Sequence, residues 1–217
     1  MSDVGKSIVE SFDFVSRVWS ECDSLANELK KNISILIAQD HEVKKLLSAK
    51  SGWRKNPSWQ TDASGCVNTA VGYSLPVKVK PKKSVSRYLC FQISLSGSSV
   101  AAIDNNEAML HVIWWADPID FKDGPWMGFP FDLDDELHVS IDEGVLFRWP
   151  STDNEGDEWA YSLRLTSLNT IRDLKEKIVD PVKALLCGRP VREALPPTIE
   201  GLVHYAAVDG HNFRVMP

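Results

Sequence analysis

Apolar residues recur over the first fifty positions with the spacing of a helix. Ile8, Phe12, Val15, Trp19, Cys22, Ala26, Leu29, Ile33 and Leu36 follow one another in alternating steps of four and three. That is the heptad seam of a coiled coil. Val43 and Leu47 prolong the apolar face, and Asp40 is the one break in it. No Pro or Gly interrupts residues 6–50. One unbroken helix of that length would run nearly 70 Å at about 1.5 Å per residue. A compact domain of this chain length has a radius of gyration near 17 Å, so such a helix would project or pair with a second copy. The alternative is a helix to about Asp40, a turn at Gln39-Asp40-His41 and a short helix to Ser48, both packed on the chain's own sheet. Ordinary helix lengths favour that second arrangement.

The period then changes from helical to two. Gly52 to Trp59 is a loop, because Pro57 forbids a helix there. Val71, Tyr73 and Leu75 alternate with Gly72 and Ser74, and Val77 and Val79 alternate with Lys78 and Lys80. Lys on one face and Pro81 at the end predict an edge strand there. Tyr88–Leu95 is the most strand-like segment and is expected to be central, with a turn at Gly97-Ser98-Ser99. Met109–Trp115, Leu137–Ile141, Val145–Trp149 and Trp159–Leu165 are further strands separated by polar turns. Successive strands without intervening helices predict an antiparallel meander.

Helical spacing returns at Leu168, Ile171, Leu174, Ile178, Val182 and Leu185, interrupted at Asp180-Pro181 and closed by Gly188. Asp209-Gly210 between two short alternating runs predicts a terminal hairpin. The fold class is therefore α+β: an antiparallel meander sheet of five to seven strands, a long N-terminal helical region, a C-terminal helix and a final β-hairpin. Residues 1–50 form the helical region and 51–217 the α+β domain, expected as one structural unit.

Composition narrows the class. With 217 residues, 43% hydrophobic and 25% charged, the chain is globular rather than disordered or collagen-like. No apolar run reaches the roughly 20 residues of a membrane span, and the first residues lack the layout of a secretory signal. The four cysteines, Cys22, Cys66, Cys90 and Cys187, are scattered without a CxxC pair. That usage is read as free buried thiols in a reducing, cytoplasmic setting.

Charge changes the picture most. The net charge is −6, but residues 41–100 hold ten Lys/Arg against two Asp/Glu, and residues 101–160 hold two against fifteen. Five of the eight tryptophans lie in the acidic stretch, at Trp114, Trp115, Trp126, Trp149 and Trp159. An acidic tail is poor in aromatics, so this is a folded segment with acidic loops. Either the two stretches neutralise each other or the acidic one is a face for a basic partner.

The candidate chemistry follows from that stretch. Phosphate-binding, dinucleotide, zinc-protease and nucleophile-elbow motifs are absent. Trp114-Trp115-Ala116-Asp117 and the apolar Gly/Pro-rich run holding Trp126 and Phe129 resemble the core of a protein interface. Asp132, Asp134, Asp135 and Glu136 resemble its rim. Adjacent strand residues face opposite ways, so one of Trp114 and Trp115 belongs to the core. The alternative is a divalent-metal site for a hydrolase, with Asp134, Glu136 and His138 on one face of a strand. Asp153, Glu155 and Asp157 have the spacing of a weak calcium loop without its frame, and Asp117–Gly124 lacks even that spacing. His111 is expected as a core histidine. Trp53-Arg54-Lys55, Trp59 and Lys78–Lys83 interleave rings with cations as a nucleic-acid groove does, but the net acidity and a pI near 5.4 argue against a dedicated nucleic-acid binder. The leading expectation is a cytoplasmic, non-enzymatic protein of inhibitor, immunity or adaptor type that binds a basic protein, with a homodimer through residues 8–47 as an additional association.

Overall fold

In a computed structural model, which describes residues 2–49, 52–62, 64–95, 107–121, 139–150, 157–208 and 213–216, α1 runs from Ser2 to Gln39. Asp40 then breaks the helix because its carboxylate accepts the backbone N–H groups of Glu42 and Val43, at 3.0 and 3.1 Å. This is a side-chain cap that competes with helix continuation. A single turn, α2 (Val43–Leu46), follows. Leu47–Ala49, expected as the end of this helix, is instead strand β1.

The sheet is antiparallel and eight-stranded. β2 (Ser58–Thr61), β3 (Asn68–Val79), β4 (Arg87–Ser94), β5 (Met109–Trp115), β6 (Ser140–Asp142), β7 (Leu146–Trp149) and β8 (Glu158–Arg164) complete it. The order is β1-β3-β4-β5-β8-β7-β6, with β2 also on β3. Two meanders, β3-β4-β5 and β6-β7-β8, are thus joined through β5 and β8. The Lys-bearing end of β3 is not the sheet edge. Leu47–Ala49 pairs with Val77–Val79, and Ser58–Thr61 pairs along Asn68–Gly72. These two short strands lie where the sequence reads helix and loop. They exist because a long β3 offers them an open ladder.

Both faces of the sheet are covered, which is why β4 and β5 are apolar almost throughout. On one face Leu89, Phe91 and Ile93 of β4 and Leu110, Val112 and Trp114 of β5 meet Cys22, Ala26, Leu29 and Ile33 of α1. On the other, Cys90, Met109, Ile113 and Ala160 meet Val203, Tyr205 and Phe213. Tyr205 and Phe213 belong to the terminal hairpin β9 (Tyr205–Ala207) and β10 (Phe213–Val215); its Asp209-Gly210 tip lies outside the described residues. Ile119 crosses the same face directly over Gly72. A Cβ there would lie 2.3 Å from Ile119 Cγ2, so only glycine admits the crossing.

The C-terminal helix is continuous but not regular. α3 (Ile171–Leu174) passes into a π-helical turn, Lys175–Val179, and then α4 (Asp180–Leu186). Pro181 has no N–H to return to the carbonyl of Lys177. The buried Tyr161 hydroxyl donates to that carbonyl at 3.3 Å, so the acceptor Pro181 leaves open is satisfied from the sheet. A short α5 (Val191–Ala194) precedes the terminal hairpin.

Candidate functional site

The two adjacent tryptophans divide between the faces as strand geometry requires. Trp114 is buried on the α1 side and stacks with Trp159, ring centres 6.4 Å apart. Trp115 is half-buried on the hairpin side, with its ring edge-on to Trp149 at 5.0 Å. Phe147, Tyr205 and Phe213 carry that aromatic cluster onward, with ring centres 4.8 and 5.0 Å from Phe147. Edge-to-face rings at this spacing are favourable beyond their buried area. Asp117 is exposed just past β5. Next to it, the Ala116 N–H donates to Glu158 Oε1 at 2.7 Å and ties the end of β5 to the start of β8. Trp126, Phe129, Asp132, Asp134, Asp135, Glu136 and His138 lie outside the described residues. So do Asp153 and Glu155 of the second acidic turn; its third member, Asp157, accepts from Arg148 at 3.4 Å. Among the described residues no three His, Cys, Asp or Glu side chains are placed to hold a metal ion.

Some of the described charges of the two stretches lie at opposite edges of the sheet, but Asp120 of the acidic stretch accepts from Ser58 of β2, and Arg87 of the basic stretch is buried in β4. Lys44, Lys45, Lys78 and Lys80 belong to α2, β3 and the turn after β3, at the β1 edge. Asp142 ends β6 at the other edge with Glu143 in the turn after it, and Asp157 immediately precedes β8. At about 4.8 Å per strand, the six steps from β1 to β6 put roughly 29 Å between the edges. Among the described residues, the ion pairs of the acidic edge are made with its own Arg148, 2.8 Å from Asp142, and with Arg192 of α5, 4.0 Å from Glu143.

That last pair connects the acidic edge to a feature the sequence reading missed. Beside α5 opens a cleft of about 710 Å³, lined by Asp173, Glu176, Asp180, Glu193 and Glu200, against Arg172 and Lys177. The carboxylates come from α3, the π-turn, α4, α5 and the segment after it, so no local charge run announced them. Lys177 is almost fully buried, donating to the Ser167 carbonyl at 2.7 Å and lying 3.0 Å from Asp173. Asp173 is held at a pKa of about 2 by hydrogen bonds from Thr170 and Lys177. It stays anionic at any physiological pH.

The rings and cations of the 53–59 segment do structural work. Trp53 stacks on Phe91 at 5.4 Å, and its indole N–H donates to the Lys30 carbonyl and Ser34 Oγ, at 3.2 and 3.1 Å. Trp59 meets Trp19 edge-on at 5.2 Å. Both rings clamp α1 to the sheet, although Trp59 keeps 38% of its surface exposed. His111 is a core histidine as expected: fully buried, with Nδ1 2.7 Å from Ser162 Oγ. The thiols are free, but Cys66 is exposed and Cys187 half-exposed; only Cys22 and Cys90 are buried. Burial and the neighbouring Asp23 and Glu21 push Cys22 up to about 11, and burial pushes Cys90 up to about 12, so neither is a thiolate at neutral pH. Among the described residues no helix is long and apolar enough to cross a membrane. No family model, curated protein or solved structure matches the chain.

Proposed function

We propose that the chain is a non-enzymatic protein-interaction protein that takes a basic partner protein on its acidic side, working in the cytoplasm as an inhibitor, immunity protein or adaptor. One observation supports this most. Glu143 beside the β6 edge pairs with Arg192, whose neighbour Glu193 lines the carboxylate cleft, while Lys44, Lys45, Lys78 and Lys80 lie at the β1 edge. Separated in this way, the acidic side keeps a field that steers a cationic surface toward it and fixes its register. Trp115, Asp117, Trp126, Phe129, Asp132, Asp134, Asp135 and Glu136 are the contacts assigned to the partner, the rings as apolar anchors and the carboxylates as a charged rim.

The test compares three tagged proteins on the same cell extract, eluted with a rising salt gradient. The wild type is expected to retain a discrete basic protein that leaves at moderate salt. Reversing Asp132, Asp134, Asp135 and Glu136 to Lys, or Glu193 and Glu200 to Lys, is expected to release it at the first wash. A partner retained equally by all three proteins overturns the acidic side as the binding face.

A further inference from the structure

α1 carries one apolar seam but uses only part of it. From Cys22 onward the seam is buried against the sheet. From Asp3 to Arg17 every residue is exposed. Val4, Ile8, Val9, Phe12, Phe14 and Val15 there have between 42% and 74% of their surface open to solvent. We propose that this open half of α1 is a dimerisation arm that pairs antiparallel with the same segment of a second copy. This goes beyond the acidic-face reading and does not depend on it.

Four features point to a second copy. The first is helix propensity. Residues 2–18 hold four Ser, four Val, two Phe and Gly5, but only Lys6, Glu10 and Arg17 as strong helix formers. Ser7 and Ser11 also bond back to the carbonyls four residues earlier, which weakens a helix further. A segment of this length and composition does not hold helix alone in water; it needs a surface on its apolar side. The second is area. Phe14 lies on the back of the helix, and the other five side chains present on the order of 500 Å² on one copy, so two copies reach the roughly 1,000 Å² that a specific interface must clear.

The third is charge. The positions flanking the seam are Val4, Ser11 and Val18 on one side and Val9 and Ser16 on the other, all uncharged. Hetero-pairing helices select their partners through charges at these positions; here two identical arms meet without repulsion. The charges sit on the back of the helix, where Lys6 and Glu10 already pair at 3.5 Å. With Asp3, Glu10 and Asp13 against Lys6 and Arg17, the arm also lacks the cationic face of a helix that lies on anionic lipid.

The fourth is space. A parallel partner, continuing along the same seam, would run into the volume held by the sheet beneath Cys22–Leu36. An antiparallel partner ends where that packing begins, near Trp19 and Trp59, and its own domain lies at the far end.

Sedimentation equilibrium of the full chain at micromolar concentration is expected to give twice the 24.3 kDa monomer mass. The double variant Ile8→Glu/Phe12→Glu is expected to give the monomer, with an unchanged thermal transition of the core and less helix by circular dichroism. A spin label at Asp3→Cys, in a Cys66→Ser/Cys187→Ser background that leaves only the buried Cys22 and Cys90, reads the direction. An antiparallel overlap of residues 3–17 separates the two labels by about 21 Å along the axis; a parallel pair brings them to the interhelical distance of about 10 Å. A wild-type monomer overturns the proposal, whether or not it sediments with phosphatidylglycerol vesicles. A dimer indifferent to the double variant, or a label pair at the short distance, overturns it as well.

Discussion

The two halves of α1 obey one sequence rule and have opposite fates. Ile8, Phe12 and Val15 repeat with the same spacing as Leu29, Ile33 and Leu36, yet the first set faces water and the second lies under the sheet. The heptad pattern specifies which stripe of a helix is apolar. It says nothing about what covers that stripe. Cover is decided by the reach of the sheet. Val18 and Trp19, the latter edge-on to Trp59, are the last packed residues before the helix runs past the domain, and Asp40 fixes the other end by capping α2.

The largest effect that separates the halves is on core stability. Leu29 is fully buried among β-sheet side chains, so Leu29→Ala removes its transfer energy and leaves a cavity, at a cost of about 2–5 kcal/mol. Phe12 is 74% exposed, and Phe12→Ala is expected to move the urea midpoint at dilute, monomeric concentration by less than about 0.5 kcal/mol equivalent. Equal costs for the two variants would mean that the arm folds onto the domain in solution and would erase the distinction.

A smaller effect tests what clamps the packed half. Trp53→Phe keeps the ring on Phe91 but deletes the N–H that bonds the Lys30 carbonyl and Ser34 Oγ. The loss expected from urea unfolding is about 1 kcal/mol, the usual net worth of a hydrogen bond that is not fully buried. Ser34→Ala should cost less, because the bond to the Lys30 carbonyl survives. A larger loss in Ser34→Ala than in Trp53→Phe would show that the indole N–H is not the clamp.

The same distinction explains what could be read from the sequence. The strands β4, β5, β7 and β8 were legible because β-branched and aromatic residues crowd them between polar turns, and the ends of the long helix were legible in Asp40. β1 and β2 were not, since Leu47–Ala49 and Ser58–Thr61 have no strand signature of their own and form only because β3 is long enough to pair with both. The order of strands β6 to β8 was hidden for a related reason: which strand docks on β5 is a long-range choice that local alternation does not encode. The π-turn is legible only in hindsight, through Pro181 and the distant Tyr161. Of the candidate site, the split of Trp114 from Trp115 followed from strand period alone. The acidic cleft did not: Asp173, Glu176 and Asp180 share one stretch of helix, but Glu193 of α5 and Glu200 after it join them only through tertiary packing.

The smallest effect lies at the buried end of α1. The Asp40 carboxylate receives Lys183 Nζ at 2.7 Å, as well as the α2 backbone. Its pKa is lowered first by Lys183 and then by the Val43 N–H. The unfolded chain therefore takes up this proton at a higher pH than the folded one. Stability from this group is complete above the ordinary carboxylate range, near pH 4, and drains away as pH falls through the lower folded value. Asp40→Asn keeps an oxygen for the backbone cap and removes only the charge. The variant should unfold at slightly lower urea than the wild type at pH 7, with the two midpoints converging as the pH drops below about 4. Because the pair sits at the surface, high salt should narrow the same gap at neutral pH. Midpoints that stay apart down to pH 2 would assign the whole contribution to the cap and none to Lys183, and would leave the packed half of α1 held by its core and its tryptophans alone.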